Sequence, residues 1–343
     1  MAKKSLLNLN QELEDKSLEK ALRPKNFDEF PGQNLIKKQL KVFVSAAKQR
    51  KEPLDHILLY GPPGLGKTTL ARIIANTMEV NYVPTSGPAI RRKGDLAAIL
   101  TTLKDRSVLF IDEIHRLSSD LEEYLYSAME DFFIDIVTGE GLGANSMRFH
   151  ISPFTLIGAT TRTGLLKAPF RDRFGIMERL DFYDEDSLCS IVNRSAQLLN
   201  IKLSSEGARE LAKRSRGTPR IVNRLLRRIR DYAQVAGKKS IDKDLACYAL
   251  EELGVNKQGL TRLDMEILKT LHFNFGGQPV GIDTLSSALS EEADTLEDFY
   301  EPYLIRKGLI QKTARGRILS EKGEKFISQE FKNVNLKQQG ELF

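Results

Sequence analysis

The spacing of apolar positions divides the chain into an alternating strand–helix half, an all-helical middle and a mixed tail. Leu35, Ile36, Leu40, Phe43, Val44 and Ala47 form the apolar stripe of an amphipathic helix predicted over 35–49. The run Ile57-Leu58-Leu59-Tyr60 predicts a buried strand, and Leu70, Ile73, Ile74 and Met78 share one face of a helix over 67–78. A short strand near Tyr82–Pro84 follows, then a helix through Leu96, Ile99, Leu100 and Leu103, then an apolar strand ending at Asp112. Phe154–Thr161 is a further apolar strand with a threonine tip. Strands alternating with helices imply an α/β unit with a mostly parallel sheet, its ligand lying outside the carboxyl ends of the strands.

Two apolar–polar alternations in 133–151 flank a glycine-rich tip and predict a protruding β-hairpin. Leu142 and Met147 near that tip are apolar where solvent is expected, so they fold back or meet a partner. From 186 to 255 only helical periodicity remains. Thr218 there suits an N-cap and Pro219 a first helical position, which puts Arg220 in the first turn of a helix. The last segment reads as helices over 262–273, 282–289 and 295–306, then a basic β-hairpin over 308–319. That is the order of a winged helix.

A length of 343 residues allows two or three domains with ample core. The expected organisation is an N-terminal extension 1–20, a large α/β domain 21–184, a small helical domain 185–256, a winged helix 257–332 and a tail 333–343. The absence of any run of 18 apolar residues predicts no membrane span, and the first 20 residues lack the apolar core of a signal peptide. Cys189 and Cys247 lie far apart in helical contexts, which suits buried thiols and a cytoplasmic location. The four histidines show no metal-ligand spacing, so no structural zinc is expected.

The net charge of +6 is concentrated in the middle of the chain. Lys213, Arg214, Arg216, Arg220, Arg224, Arg227, Arg228 and Arg230 occur there without an intervening acid. Part of this set suits nucleic acid or nucleotide phosphate, and part suits acidic neighbours. In the tail, Arg306, Lys307, Lys312, Arg315 and Arg317 fall within an acid-free stretch and suit sequence-independent phosphate contact.

Gly61, Gly66, Lys67 and Thr68 match the phosphate-cradling P-loop between a strand and a helix. Glycines let backbone N–H groups converge on phosphate, Lys67 suits the β/γ-phosphates, and the Thr68 hydroxyl suits Mg²⁺. Asp112, at the end of its strand, suits the same metal, and Glu113 suits polarising an attacking water. The Thr160/Thr161 tip would stand beside the γ-phosphate if its strand lies between those of the P-loop and Asp112. Arg173 sits in a loop beyond the last predicted strand; spacing alone favours a surface Arg–Asp pair, while in a ring of subunits it could reach the neighbour's γ-phosphate as an arginine finger.

In this order the P-loop, the Asp-Glu strand, the Thr-tipped strand, Arg171-Asp-Arg-Phe-Gly175 and Gly217-Thr-Pro-Arg220 resemble an AAA+ ATPase. Leu22-Arg23-Pro24…Phe30-Pro31-Gly32-Gln33, Gly61-Pro-Pro-Gly-Leu-Gly-Lys-Thr-Thr69, Gly158-Ala-Thr-Thr-Arg162 and Arg214-Ser-Arg-Gly-Thr-Pro-Arg220 resemble more narrowly the RuvB family of Holliday-junction branch-migration motors. The resemblance runs from about residue 20 to 330 and implies an ATP- and Mg²⁺-dependent homohexamer that moves duplex DNA in recombination and repair. It implies RuvA and RuvC as partners. It assigns Leu22, Arg23 and Tyr183 to adenine, and Gly64, Lys67, Thr68 and Thr69 to phosphate and metal. Thr160 or Thr161 becomes the γ-phosphate sensor, Arg173 the finger in trans, and Arg220 the second sensor. Glu130, Asp131 and Phe132 fall at the subunit interface near nucleotide, and the 133–151 hairpin becomes the RuvA-docking element. DNA contacts fall at Lys312 and Arg317, the former where the family typically has Arg. A clamp-loader-like switch and a DNA-binding regulator with a decayed ATPase are the rival readings. The Arg-Asp-Arg-Phe text and the tail argue against the first, and the intact catalytic set argues against the second.

Overall fold

A computed structural model describes residues 21–138 and 145–340 in two compact units, Met1–Ser190 and Ile191–Phe343. The 1–20 extension and Leu142 lie outside the described residues. In the first unit, strands β1 (Ile57–Tyr60), β2 (Tyr82–Ser86), β3 (Val108–Asp112), β6 (Thr155–Thr160) and β7 (Ile176–Arg179) make one parallel sheet. Its order is β2-β3-β6-β1-β7. The Thr-tipped strand β6 therefore does lie between the P-loop strand β1 and the Asp112 strand β3. Helices and loops cover β6 on both faces, and all six of its residues are buried, as an unbroken apolar run in a parallel sheet requires.

The helix Lys67–Met78 buries Leu70, Ile73, Ile74 and Met78 together, as their spacing predicts. The helix Asn34–Arg50 departs from its predicted stripe. Ile36, Leu40, Val44 and Ala47 are buried, whereas Leu35 is 72% and Phe43 39% exposed. The helix docks through a row narrower than its apolar content, so its flanking apolar residues face solvent. The predicted hairpin is present as β4 (Phe133–Thr138) and β5 (Asn145–His150), antiparallel, with Ile136 opposite Met147. Met147 is exposed.

The second unit begins with four helices, Glu185–Leu198 (which crosses in from the first unit), Ser205–Arg214, Pro219–Val235 and Lys243–Glu252. Thr218 does occupy the N-cap of the third, yet its hydroxyl donates to the Arg216 carbonyl and caps nothing. The helices Arg262–Lys269, Ile282–Leu289 and Glu301–Arg306 then precede β8 (Ile310–Thr313) and β9 (Gly316–Leu319). They enclose a core that includes Ile267, Leu268, Leu285, Leu304, Ile310 and Ile327. A backbone bridge between Val280 and Arg317 gives β9 a second partner, completing a winged helix. The helix Glu321–Gly340 runs into the segment that the sequence marks as a tail.

Candidate nucleotide site and DNA-facing wing

The P-loop leaves β1 at Gly61, where φ is 130° and a Cβ would collide with the Leu180 carbonyl oxygen. Only glycine tolerates that combination of backbone conformation and contact. Gly64 and Gly66 are also left-handed, at 78° and 102°, so the loop arches over the start of the Lys67 helix. The arch is held from three sides. Gly61 N–H donates to the Thr160 carbonyl at 3.2 Å, and the Tyr183 hydroxyl donates to the Leu65 carbonyl at 3.0 Å. Phe30 packs against Gly66, and the Gln33 side chain donates to the Asp181 carbonyl at 2.6 Å. Leu22 and Tyr183 are buried and Arg23 half-buried in the same unit. Burial pushes the Tyr183 phenol pKa upward, keeping it a neutral donor.

Lys67 is 7% exposed, with its ammonium donating to the carbonyls of Gly61 and Pro62 at 2.7 and 2.9 Å. The Thr68 hydroxyl donates to Asp112 Oδ2 at 3.2 Å. A hydroxyl and a carboxylate this close are oxygen donors of the kind that hold Mg²⁺ together with waters and phosphate, so the residues present fit the metal. Thr69 lies half-buried one residue on. Glu113 has a left-handed φ of 50° and a carboxylate that is half exposed. Gly87 fits beneath its carbonyl, where any Cβ would collide.

The two threonines of the β6 tip differ. Thr160 is 1% exposed; its hydroxyl bonds His115 Nδ1 at 3.0 Å and accepts the Arg162 N–H at 3.0 Å. Thr161 is the first residue past the strand, is half-buried, and follows the carbonyl that Gly61 engages.

Arg173 lies on the surface formed by the helix Ser119–Asp131. It pairs with Glu130 at 2.7 Å, donates to the Tyr126 hydroxyl, and stacks 4.3 Å from that ring's centre. The Tyr126 bond, against a smaller desolvation effect and with help from Glu130, pushes the guanidinium pKa higher still. Asp131 is exposed at the helix end. Phe132 is left-handed at φ 53° and packs edge-on against Phe154, so it serves the core. Arg220 belongs to the second unit, exposed in the first turn of Pro219–Val235.

At the wing, Arg315 sits exposed in the β8–β9 turn, and Lys312 is 54% exposed while pairing with Glu297 at 3.1 Å. Arg317 is held differently from its neighbours in the charge run. It is 6% exposed, and Glu301 and Glu297 take its guanidinium. It therefore pins β9 to the preceding helical segment. Burial works to raise the Glu297 carboxyl pKa, but Lys312 and Arg317 outweigh it and leave it lowered. The arginine-rich middle divides in the same way. Arg214, 2% exposed, pairs with Glu210, and Arg216, 4% exposed, pairs with Asp264.

Three family models match in succession: the Holliday junction DNA helicase RuvB P-loop domain over 22–180, the RuvB AAA lid domain over 183–256 and the RuvB C-terminal winged helix domain over 257–328. The chain belongs to the RuvB family. A Holliday junction branch migration complex subunit RuvB from Bdellovibrio bacteriovorus is 63% identical over 307 residues, 90% of this chain and 93% of that one. One of the same description from Clostridium kluyveri is 56% identical over 321 residues, 94% and 92% of the two chains. Among solved structures, the Thermotoga maritima RuvB Holliday junction branch migration motor superposes with a TM-score of 0.82 at 48% identity, covering 90% of this chain and 98% of that one.

The fold of this RuvB-family chain is thus an AAA+ P-loop domain with a parallel sheet, a helical lid and a C-terminal winged helix. Its P-loop domain is a nucleotide-binding ATPase module. Among the described residues no helix is long and apolar enough to cross a membrane. Three participants escape sequence reasoning: His115 at Thr160, Tyr126 at Arg173 and Gly87 under Glu113. Tyr126 carries a usable signal, since it stands four residues before Glu130 and so shares its helix face.

Proposed function

We propose that the chain is an ATP-driven motor that moves duplex DNA and drives Holliday-junction branch migration. The observation that carries this is the Thr68–Asp112 juxtaposition under the P-loop, with Glu113 next in sequence, in a chain ending in a winged helix. Thr68 and Asp112 would hold Mg²⁺, which would supply charge neutralisation at the nucleotide phosphates. Lys67 swings from its carbonyl contacts to the phosphates. Gly61, Gly64, Gly66 and Thr69 line their cradle, and Leu22, Arg23 and Tyr183 close the adenine side. Glu113 orients the attacking water, and Thr161, whose neighbour Thr160 is already engaged, reads the γ-phosphate.

Arg173 and Glu130 serve an adjacent subunit of a homohexamer, with Asp131 beside them, and Arg220 acts as the lid's sensor. Domain boundaries of 21–184, 185–256 and 257–332 fit this division of labour. Lys312 and Arg315 touch DNA phosphate in a sequence-independent way. The 133–151 hairpin docks RuvA through Met147 and Leu142; RuvC joins the resolving complex, and the work is cytoplasmic. Exposed Met147 and Phe149 on one hairpin strand support the docking role.

The test is migration of a synthetic four-way junction with RuvA and ATP by wild type and by Glu113→Gln. Wild type moves the junction and the variant binds ATP without moving it. Turnover of ATP by wild type with a stationary junction would return the chain to the clamp-loader-like switch.

A further inference from the structure

The second unit contains a buried charge pair that neither nucleotide nor DNA contact requires. Arg216 stands just ahead of the helix Pro219–Val235, whose first turn carries Arg220. Its own φ of 60° and the 74° of Gly217 reverse the chain there, and its side chain is 4% exposed. That side chain reaches out of the lid and into the winged helix. Nε donates to the Gly259 carbonyl at 3.1 Å, Nη2 donates to Thr261 Oγ1 at 3.0 Å, and Nη2 pairs with the fully buried Asp264. Asp264 also accepts from Thr261 N–H at 2.6 Å, so the pair is built into the start of the helix Arg262–Lys269. The rings of Tyr300 and Tyr303 flank the guanidinium at 5.7 and 5.0 Å.

Those two tyrosines belong to the segment Leu296–Tyr300 and Glu301–Arg306. The same segment supplies Glu297 and Glu301, which hold Arg317 and Lys312 of the wing. One helical segment is thus gripped by the lid through Arg216 and grips the wing through its carboxylates. Stability alone is a poor reason for such an arrangement. A buried ion pair repays its desolvation weakly compared with apolar packing, and Arg216 Nη1 and Asp264 Oδ1 find no hydrogen-bond partner among the described residues. A directional clamp does something apolar contact does not: it admits one geometry.

We propose that Arg216 is a positioning residue which, by clamping Asp264 and the Tyr300–Tyr303 rings, makes the lid helix and the DNA-facing wing move as one body. Displacement of the lid on nucleotide turnover then reaches the DNA without being absorbed in a loose joint. This rests on the motor reading above and names the joint through which that motor works.

The experiment compares wild type with Arg216→Met for melting temperature, duplex affinity, ATP turnover and base pairs of junction migrated per ATP. The clamp predicts turnover and duplex affinity within about threefold of wild type and migration per ATP reduced about fivefold or more, a coupling effect of ordinary size. A variant that melts earlier, yet whose surviving assemblies keep the wild-type distance per ATP, overturns the proposal and leaves Arg216 a stabilising residue. If Arg216→Met does not assemble, Arg216→Lys decides. It keeps the charge beside Asp264 but loses the fork that reaches Gly259 and Thr261, so reduced distance per ATP at normal turnover supports the clamp and an unchanged distance overturns it. Wild type that hydrolyses ATP with a stationary junction removes the motor reading itself, a result separable from any effect of Arg216.

Discussion

Replacing Thr160 and Thr161 one at a time by valine separates two roles that adjacent threonines invite one to merge. Thr160 is 1% exposed and its hydroxyl serves both His115 and the Arg162 N–H. Valine fills the same volume but accepts nothing, so the partly buried Arg162 N–H and His115 ring lose this bond. Losing a hydrogen bond of this kind costs about 0.5–1.5 kcal/mol, which for a unit of this size lowers Tm by roughly 1–6 °C. Thr161 is half-buried beyond the strand end, and its replacement should cost at most about 0.5 kcal/mol. Its effect falls on turnover. Losing a donor placed for charge that develops on the γ-phosphate lowers kcat by about 10²-fold. Thermal melts and steady-state ATP hydrolysis, run on both variants at a temperature where both are folded, give the answer. A Thr161→Val protein that melts well below Thr160→Val, or a Thr160→Val protein that is the more impaired in turnover while folded, would refute the assignment.

Mixing Lys67→Ala with Arg173→Ala protein should regenerate some ATPase in interfaces that keep both residues, measured as turnover against mixing ratio; no recovery at any ratio contradicts a shared site. Arg315→Ala should weaken duplex binding and reduce the slope of log affinity against log salt by about 1, with Tm unchanged. Arg317→Ala should instead leave Glu301, which is 3% exposed, with only Lys312 at 4.0 Å, and cost about 3 kcal/mol in chemical denaturation; an Arg317→Ala protein of normal stability and lowered DNA affinity makes Arg317 a DNA contact. Burial raises the Tyr82 phenol to about 12 from an ordinary value of 10.0. A folded pKa above the unfolded one means stability present in full below pH 10 and lost as pH climbs toward 12, so Tm against pH should fall less steeply across that window in Tyr82→Phe.

Three strands of the sheet, β1, β3 and β6, were legible as apolar runs closed by a glycine or a polar residue, and β6 lies where its threonine tip required; β7, Ile176–Arg179, was not, because its four residues include two charged ones. Which threonine faces the phosphate was not legible. The deciding partner, His115, is 45 positions away in sequence and meets Thr160 only through the β3–β6 pairing. What holds Arg317 was not legible for a related reason. The acid nearest to it in sequence, Glu321, is not its partner, while Glu301 and Glu297 stand 16 and 20 positions upstream on a different element. Leu35 and Phe43 look like core because helical spacing permits a wide stripe, and how much of a stripe is covered depends on the width of the surface it meets. Arg216 is hidden inside a charge run for which solvation is the ordinary explanation, and nothing in its neighbours announces Asp264.

The clasp on the P-loop has a mechanical consequence. Leu180, whose carbonyl abuts Gly61, and Tyr183, whose hydroxyl ties Leu65, lie directly before the helix Glu185–Leu198. That helix runs unbroken for 14 residues from the wall of the phosphate loop into the second unit. At 1.5 Å per residue it is about 21 Å long, so a tilt of about 10° at its root carries its far end about 4 Å. The residues that brace the phosphate loop are thus also the residues that set the root of this helix.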